Sequence, residues 1–210
     1  AADFAKSAYK LNTKISPNVV DVARFRAVKA PGNKHPQIVF LGRLVERKGA
    51  MELLRAFKPL HERLPEVELD IAGDGSLRGR LENYVKKHSL DESVTFKGYI
   101  GETDKPALLA SADIACFPSL YGESFGIVLI EAMAAGGGVV IGGNNPGYRG
   151  VLGTQPKLLV DPRDSQAMAK RLEELLTDRT LAERLHDWQT KEVEGKEKHG
   201  SNVNNIKLRV

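Results

Sequence analysis

Gln37-Ile-Val-Phe-Leu41, Gly42-Arg-Leu-Val-Glu-Arg-Lys-Gly49, Ala50-Met-Glu-Leu-Leu-Arg-Ala-Phe-Lys-Pro-Leu-His-Glu-Arg-Leu64 and Val67-Glu-Leu-Asp-Ile-Ala72 read in turn as strand, loop, helix and strand. The first and last pieces are short, apolar runs rich in β-branched residues, as strands buried on both faces of a parallel sheet must be. Between them Ala50, Leu53, Leu54, Phe57, Leu60 and Leu64 recur at the spacing of one helix face. The same alternation continues through Ser93–Phe96, Asp113–Phe117, Val139–Ile141 and Lys157–Val160, which makes six candidate strands. Strands alternating with amphipathic helices imply a doubly wound, mostly parallel, six-stranded Rossmann-like α/β sheet. Two closing helices follow, one on Ala169, Leu172, Leu175 and Leu176 with Asp164 or Ser165 as its cap, the other on Leu181, Leu185 and Trp188.

The ends read differently. Residues 1–21 are expected to be a remnant of a preceding domain and its hinge, 22–35 a linker, 36–190 the Rossmann-like domain, and 191–210 a polar, poorly ordered tail. The opening Ala1-Ala-Asp-Phe4 carries neither a methionine nor a signal-peptide pattern, so the chain reads as a fragment. A hydrophobic content of 41% suits one domain of this length, and no run reaches the length of a membrane span. The formal charge of +4 is spread over interleaved acids and bases, which favours solvated helix faces over a nucleic-acid surface. Cys116, in the apolar run Asp113–Phe117, has no partner for a disulfide, and a reducing, cytoplasmic setting is expected.

In an open parallel sheet, ligands sit beyond the carboxyl ends of the strands, so the loops there carry the functional signal. In the first, Gly42-Arg43…Arg47-Lys48-Gly49, fixed cations precede a helix amino terminus, which suits a diphosphate and equally suits a solvated basic turn. A second loop, Ala72-Gly73-Asp74-Gly75, offers close backbone approach at Gly73, although Asp74 could simply cap a helix starting near Ser76. The third loop runs Pro118-Ser-Leu-Tyr-Gly122-Glu123-Ser124-Phe125-Gly126-Ile-Val-Leu-Ile-Glu131-Ala-Met-Ala-Ala-Gly136. Gly122 and Gly126 clear space at a helix start, where the N–H groups of Phe125, Gly126, Ile127 and Val128 can receive an anion. Glu131 is the sole ionisable residue of that apolar helix. Burying a carboxylate demands a partner, either a ligand hydroxyl or a hydrogen bond within the fold.

Glu123 and Glu131 form an E-x7-E motif in the form E-S-F-G-I-V-L-I-E-A-M-A-A-G, and by it the chain resembles the family-4 glycosyltransferases of GT-B fold. Agreement extends to Gly42-Arg43…Lys48-Gly49, Ala72-Gly-Asp-Gly75, Val94-Thr-Phe-Lys-Gly98, Ala112-Asp113…Pro118-Ser119 and Leu159-Val-Asp-Pro162, covering roughly residues 15–185. Through Gly122-Glu-Ser-Phe-Gly126 and Tyr148-Arg149-x-Val151-Leu152 it is most similar to bacterial phosphatidylinositol mannosyltransferases. The resemblance implies the donor-binding half of a retaining, metal-independent enzyme that moves mannose or glucose from a GDP- or UDP-linked sugar to an acceptor, with a lipid as one candidate. It also implies the catalytic set. Arg43 and Lys48 grip the pyrophosphate, beside Gly42 and Gly73, and Glu123 with the amides of Ser124, Phe125 and Gly126 faces the sugar. Glu131 takes the ribose hydroxyls, and the backbone around Lys97, Tyr99 and Ile100 faces the base. No cofactor is expected beyond the sugar nucleotide, and in the complete protein the partners would be an amino-terminal acceptor domain and, peripherally, a membrane. Alone, the chain is expected to transfer nothing.

Two departures from the family pattern stand out: Gly136-Gly137-Gly138 suggests a loose turn, and Asn144-Asn145-Pro146 replaces a commoner glycine pair. Rival readings are a GT-B nucleotide-sugar epimerase and a sugar-nucleotide-binding module without chemistry. A dinucleotide dehydrogenase lacks its G-x-G-x-x-G after the first strand, and a GT-A transferase lacks its D-x-D.

Overall fold

The computed structural model describes residues 18–28, 32–199 and 205–208. Its first elements are strand β1 (Asn18–Asp21) and helix α1 (Val22–Arg26). The main sheet holds β2 (Gln37–Leu41), β3 (Glu68–Ala72), β4 (Val94–Gly98), β5 (Ile114–Phe117), β6 (Val139–Gly143) and β7 (Leu159–Val160). These lie in the order β4-β3-β2-β5-β6-β7, and every neighbouring pair is parallel. Strand order therefore reverses between β2 and β5, where Ile38 pairs with Ile114 and Val39 with Ala115. The connections on either side of that point leave in opposite directions and open a crevice at the carboxyl edge.

Helices α2 (Ala50–Arg63), α3 (Arg78–Lys87), α4 (Lys105–Ala110), α5 (Ile127–Ala135), α6 (Pro146–Leu152), α7 (Ser165–Thr177) and α8 (Arg179–His199) complete the fold. One layer is α2 with α3 and α7; in the other, α5 is surrounded by α1, α4, α6 and α8. This explains why α5 is apolar all round, for Leu129, Ile130, Ala132, Met133, Ala134 and Ala135 are all buried. Asp164 caps α7, its side chain accepting from Ala167 N. Burial pushes the Cys116 thiol far above its ordinary range, so this residue serves the core as a small hydrophobe.

Several expectations change. The stretch read as a linker opens with helix α1, because Val22 and Phe25, three apart, bury one face against α5 while Asp21 accepts from Arg24 N at 3.2 Å. The tail is helical up to His199, with Val193 buried, and strand β8 (Asn205–Leu208) pairs antiparallel with β1. The reading of residues 1–17, and of the rest of the tail, lies outside the described residues. Asp74 does not cap α3, whose cap position is Leu77; its carboxylate instead accepts from Gly75 N at 2.7 Å. The glycine run is tight. A Cβ on Gly138 would lie 2.0 Å from Asp113 O, so the turn into β6 is glycine because two backbones touch there.

Candidate functional site

Each loop at the switch point has a distinct local cause. After β2 the chain makes a 3-10 turn, Glu46–Lys48, that ends at Gly49 in the left-handed region, φ 75°, before α2 starts. After β5, Pro118–Gly126 crosses the mouth of the sheet and enters α5 at Gly126, φ 70°. The loops are locked together. Leu120 N donates to Arg47 O at 2.9 Å, and Gly49 packs directly on Pro118 O.

Between them lies a cleft of about 470 Å³ lined by Leu41, Gly42, Arg43, Arg47, Lys48, Lys105, Gly122, Glu123, Ser124, Phe125, Gly126, Ile127, Val128 and Glu131. Ten residues expected from the sequence meet here, from Gly42, Arg43 and Lys48 to the run Glu123–Val128 and Glu131. At its helical end, Leu129 N turns back to Gly126 O at 2.9 Å, whereas the N–H groups of Ile127 and Val128 precede any intrahelical acceptor. Arg43 is exposed and has no ion-pair partner among the described residues. Four cations and two carboxylates thus face one space, and Arg43 is the exposed one among the cations.

Glu123 is largely buried and heavily solvated by protein. Its Oε1 accepts from Lys48 Nζ at 2.6 Å, Arg47 Nη1 at 3.3 Å and Ser119 Oγ at 3.0 Å. Behind Ser119 stands buried Tyr148, whose hydroxyl lies 3.2 Å from the serine oxygen. Burial lifts the Tyr148 phenol far above its usual range, so it remains a neutral donor. Asn145 completes the support, accepting from Tyr148 N and donating to Ser119 O, both at 3.0 Å. The Asn-Asn-Pro departure is therefore the cap of α6. Lys48, expected at the pyrophosphate, pairs with Glu123 across the cleft.

Glu131 is 14% exposed and its Oε1 accepts from Lys105 Nζ at 3.1 Å. Burial lowers the affinity of Lys105 for its proton, but Glu102 at 2.8 Å and Glu131 outweigh it and hold the lysine above its usual range. The sequence marks Arg47 only as one of the fixed cations of the first loop, with no individual role, and does not single out Lys105. Arg47 looked like one more charge of a basic turn, and Lys105 stands in a different loop with no local pattern around it.

Four expected residues lie outside the cleft lining. Gly73 abuts Gly42 O and donates to Gly98 O at 2.6 Å, at the carboxyl ends of β3 and β4. Lys97 Nζ pairs with Asp70 Oδ2 at 3.1 Å, Tyr99 is 81% exposed, and Ile100 is half-buried beside it. Of the four, Gly73 is the one in direct contact with a cleft residue, Gly42. Among the described residues no three His, Cys, Asp or Glu side chains gather as a metal cluster, and no helix is long and apolar enough to cross a membrane.

A doubly wound parallel sheet with cations and a free helix amino terminus at its switch point defines a Rossmann-like α/β domain with a charged cleft at the carboxyl edge of its sheet. The profile of the family described as glycosyl transferases group 1 matches residues 21–192, and the chain belongs to that family. It is 37% identical over 190 residues to a phosphatidyl-myo-inositol mannosyltransferase of Mycolicibacterium smegmatis, covering 82% of this chain and 47% of that protein. Among solved structures it resembles the C-terminal domain of a glycosyl transferase group 1 family protein from Francisella tularensis, with a TM-score of 0.72 and 24% identity over 84% of this chain and 97% of that one. It also resembles an Anabaena protein solved with UDP and glucose, with a TM-score of 0.67 and 23% identity over 77% of this chain and 44% of that one. The chain spans about half the length of the curated relative it matches.

Proposed function

We propose that this chain is the donor-binding domain of a retaining, metal-independent glycosyltransferase that moves a hexose, mannose or glucose, from a GDP- or UDP-linked donor to an acceptor such as phosphatidylinositol. The carrying observation is the convergence of the basic β2 loop and the β5–α5 loop on one cleft at the switch point. In this reading Arg43, Lys48 and the α5 amides receive the diphosphate, and their charge stabilises the leaving nucleoside diphosphate, the task a metal performs elsewhere. Glu123, fixed by Arg47, Lys48 and Ser119, faces the sugar, and Glu131 accepts from the ribose. The acceptor is held by a partner domain, and a lipid acceptor implies peripheral association with a membrane. Support for the hexose comes from the mannosyltransferase relative, and for the nucleotide from the Anabaena protein's UDP and glucose.

Calorimetry of the 210-residue chain with UDP and GDP in excess EDTA tests the metal-independent donor site on which this reading stands. At least one should bind, with no change on adding magnesium. Failure of both at millimolar concentration, or binding that requires magnesium, removes the donor site.

Glu131 allows a second reading, since its ion pair with Lys105 could be purely structural. Glu131→Gln keeps the shape and removes the charge. If the carboxylate receives a ligand hydroxyl, nucleotide affinity falls by about 5- to 150-fold, equivalent to roughly 1–3 kcal/mol, while the melting temperature changes little because Lys105 keeps Glu102. An unaltered affinity with a lowered melting temperature would assign Glu131 to the fold.

A further inference from the structure

Lys105 opens α4, on the loop that leaves β4, yet its ammonium lines the cleft formed by the loops of β2 and β5. It is 14% exposed and bridges two carboxylates, Glu102 Oε1 at 2.8 Å and Glu131 Oε1 at 3.1 Å. Glu102 is in turn engaged by Arg24 of α1, 3.5 Å from its Oε2, and its carbonyl also accepts from Arg24. A lysine paired on both sides is restrained, and it sets which oxygen of Glu131 is occupied. Glu131 Oε1 is taken, while Oε2 has no partner among the described residues.

We propose that Lys105 is a positioning residue of the nucleotide site: it holds Glu131 by Oε1 and so presents Oε2 to a ribose hydroxyl. The inference rests on the ribose role proposed for Glu131. Lys105 acts through Glu131 and does not itself touch the diphosphate, which the cations of the β2 loop receive. Without the lysine, the carboxylate would rotate freely and bind water with either oxygen, so the ligand hydroxyls would lose their oriented acceptor.

The test compares UDP and GDP with their 2′,3′-dideoxy forms on the wild-type chain, Lys105→Gln, Glu131→Gln and the double variant, by calorimetry. Wild type should prefer the ribose form by about tenfold or more, and Lys105→Gln should erase most of that preference. In the Glu131→Gln background, Lys105→Gln should change affinity by less than about twofold, because the two act as a unit. Lys105→Arg, which keeps a cation, should restore the preference. A wild type indifferent to the missing hydroxyls would overturn the ribose role and this inference together. A wild-type preference that survives in Lys105→Gln would overturn the inference alone. Equal loss from Lys105→Gln with and without Glu131 would overturn it in favour of direct phosphate contact. Should Lys105→Gln melt early, Lys105→Met, which keeps the buried stem, carries the same comparison.

Discussion

Gly49→Ala should lower the melting temperature of the chain by about 6–12 °C and, at assay temperatures well above the new midpoint, abolish nucleotide binding. At φ 75° an L side chain is strained by roughly 1–2 kcal/mol. The larger cost is steric, because a Cβ there would lie 2.0 Å from Pro118 O and 2.8 Å from Pro118 C. Those atoms are backbone and cannot rotate aside, so the β2 and β5 loops must part and strain the Leu120-to-Arg47 hydrogen bond. Strain and displacement together come to about 3 kcal/mol, and for a chain of this size each kcal/mol moves the midpoint by about 2–4 °C. Gly150→Ala is the control: it lies within α6 with nothing within 4 Å of the added Cβ, and should leave the midpoint unchanged or raise it. A Gly49→Ala midpoint within a degree of wild type would mean that the two loops are not joined as described.

The contrast between these glycines shows what the sequence could and could not convey. Alternating apolar runs with one-faced helices announce the doubly wound sheet, because burial on both faces leaves the central strands few polar positions. The Gly-Arg…Lys-Gly and E-S-F-G segments announce the two loops of the cleft by their residue types. Pairings across loops are another matter. Lys48 and Arg47 reach Glu123 over 75 and 76 positions, and nothing local to either stretch predicts that one carboxylate will collect both. Lys105 meets Glu131 from a third loop, so the partner demanded by a half-buried carboxylate could be foreseen but not named. At the ends, the five residues of α1 bury only two apolar side chains, too few to show periodicity, and the polar face of α8 hides buried Val193. The glycine run misled for a steric reason: its small residues permit backbone contact with Asp113, which is decided by the neighbouring strand.

Arg43→Ala and Lys48→Ala should each weaken UDP or GDP binding by about 10- to 150-fold, the roughly 1.5–3 kcal/mol of a charge-assisted hydrogen bond, while affinity for the matching nucleoside changes little. The two variants should differ in the ligand-free protein. The Arg43 side chain is exposed and bonded to no described residue, so its loss should leave the melting temperature within a degree. Lys48 is 19% exposed and 2.6 Å from a carboxylate that is 11% exposed, so its loss leaves Glu123 on Arg47 and Ser119 and should cost about 1 kcal/mol of stability, or 2–4 °C. Both effects on affinity should shrink as salt rises, since the interactions sit in an open cleft. Equal losses for nucleoside and diphosphate would place the effect on folding instead. Glu123→Gln provides the counter-test, because it frees Lys48 and Arg47 from their carboxylate while keeping its shape. Diphosphate affinity should then hold or rise, and the advantage of UDP-glucose or GDP-mannose over the bare diphosphate should fall. A Glu123→Gln variant that loses diphosphate and sugar nucleotide alike would mean that Glu123 serves to orient the two cations, and its assignment to the sugar would have to be withdrawn.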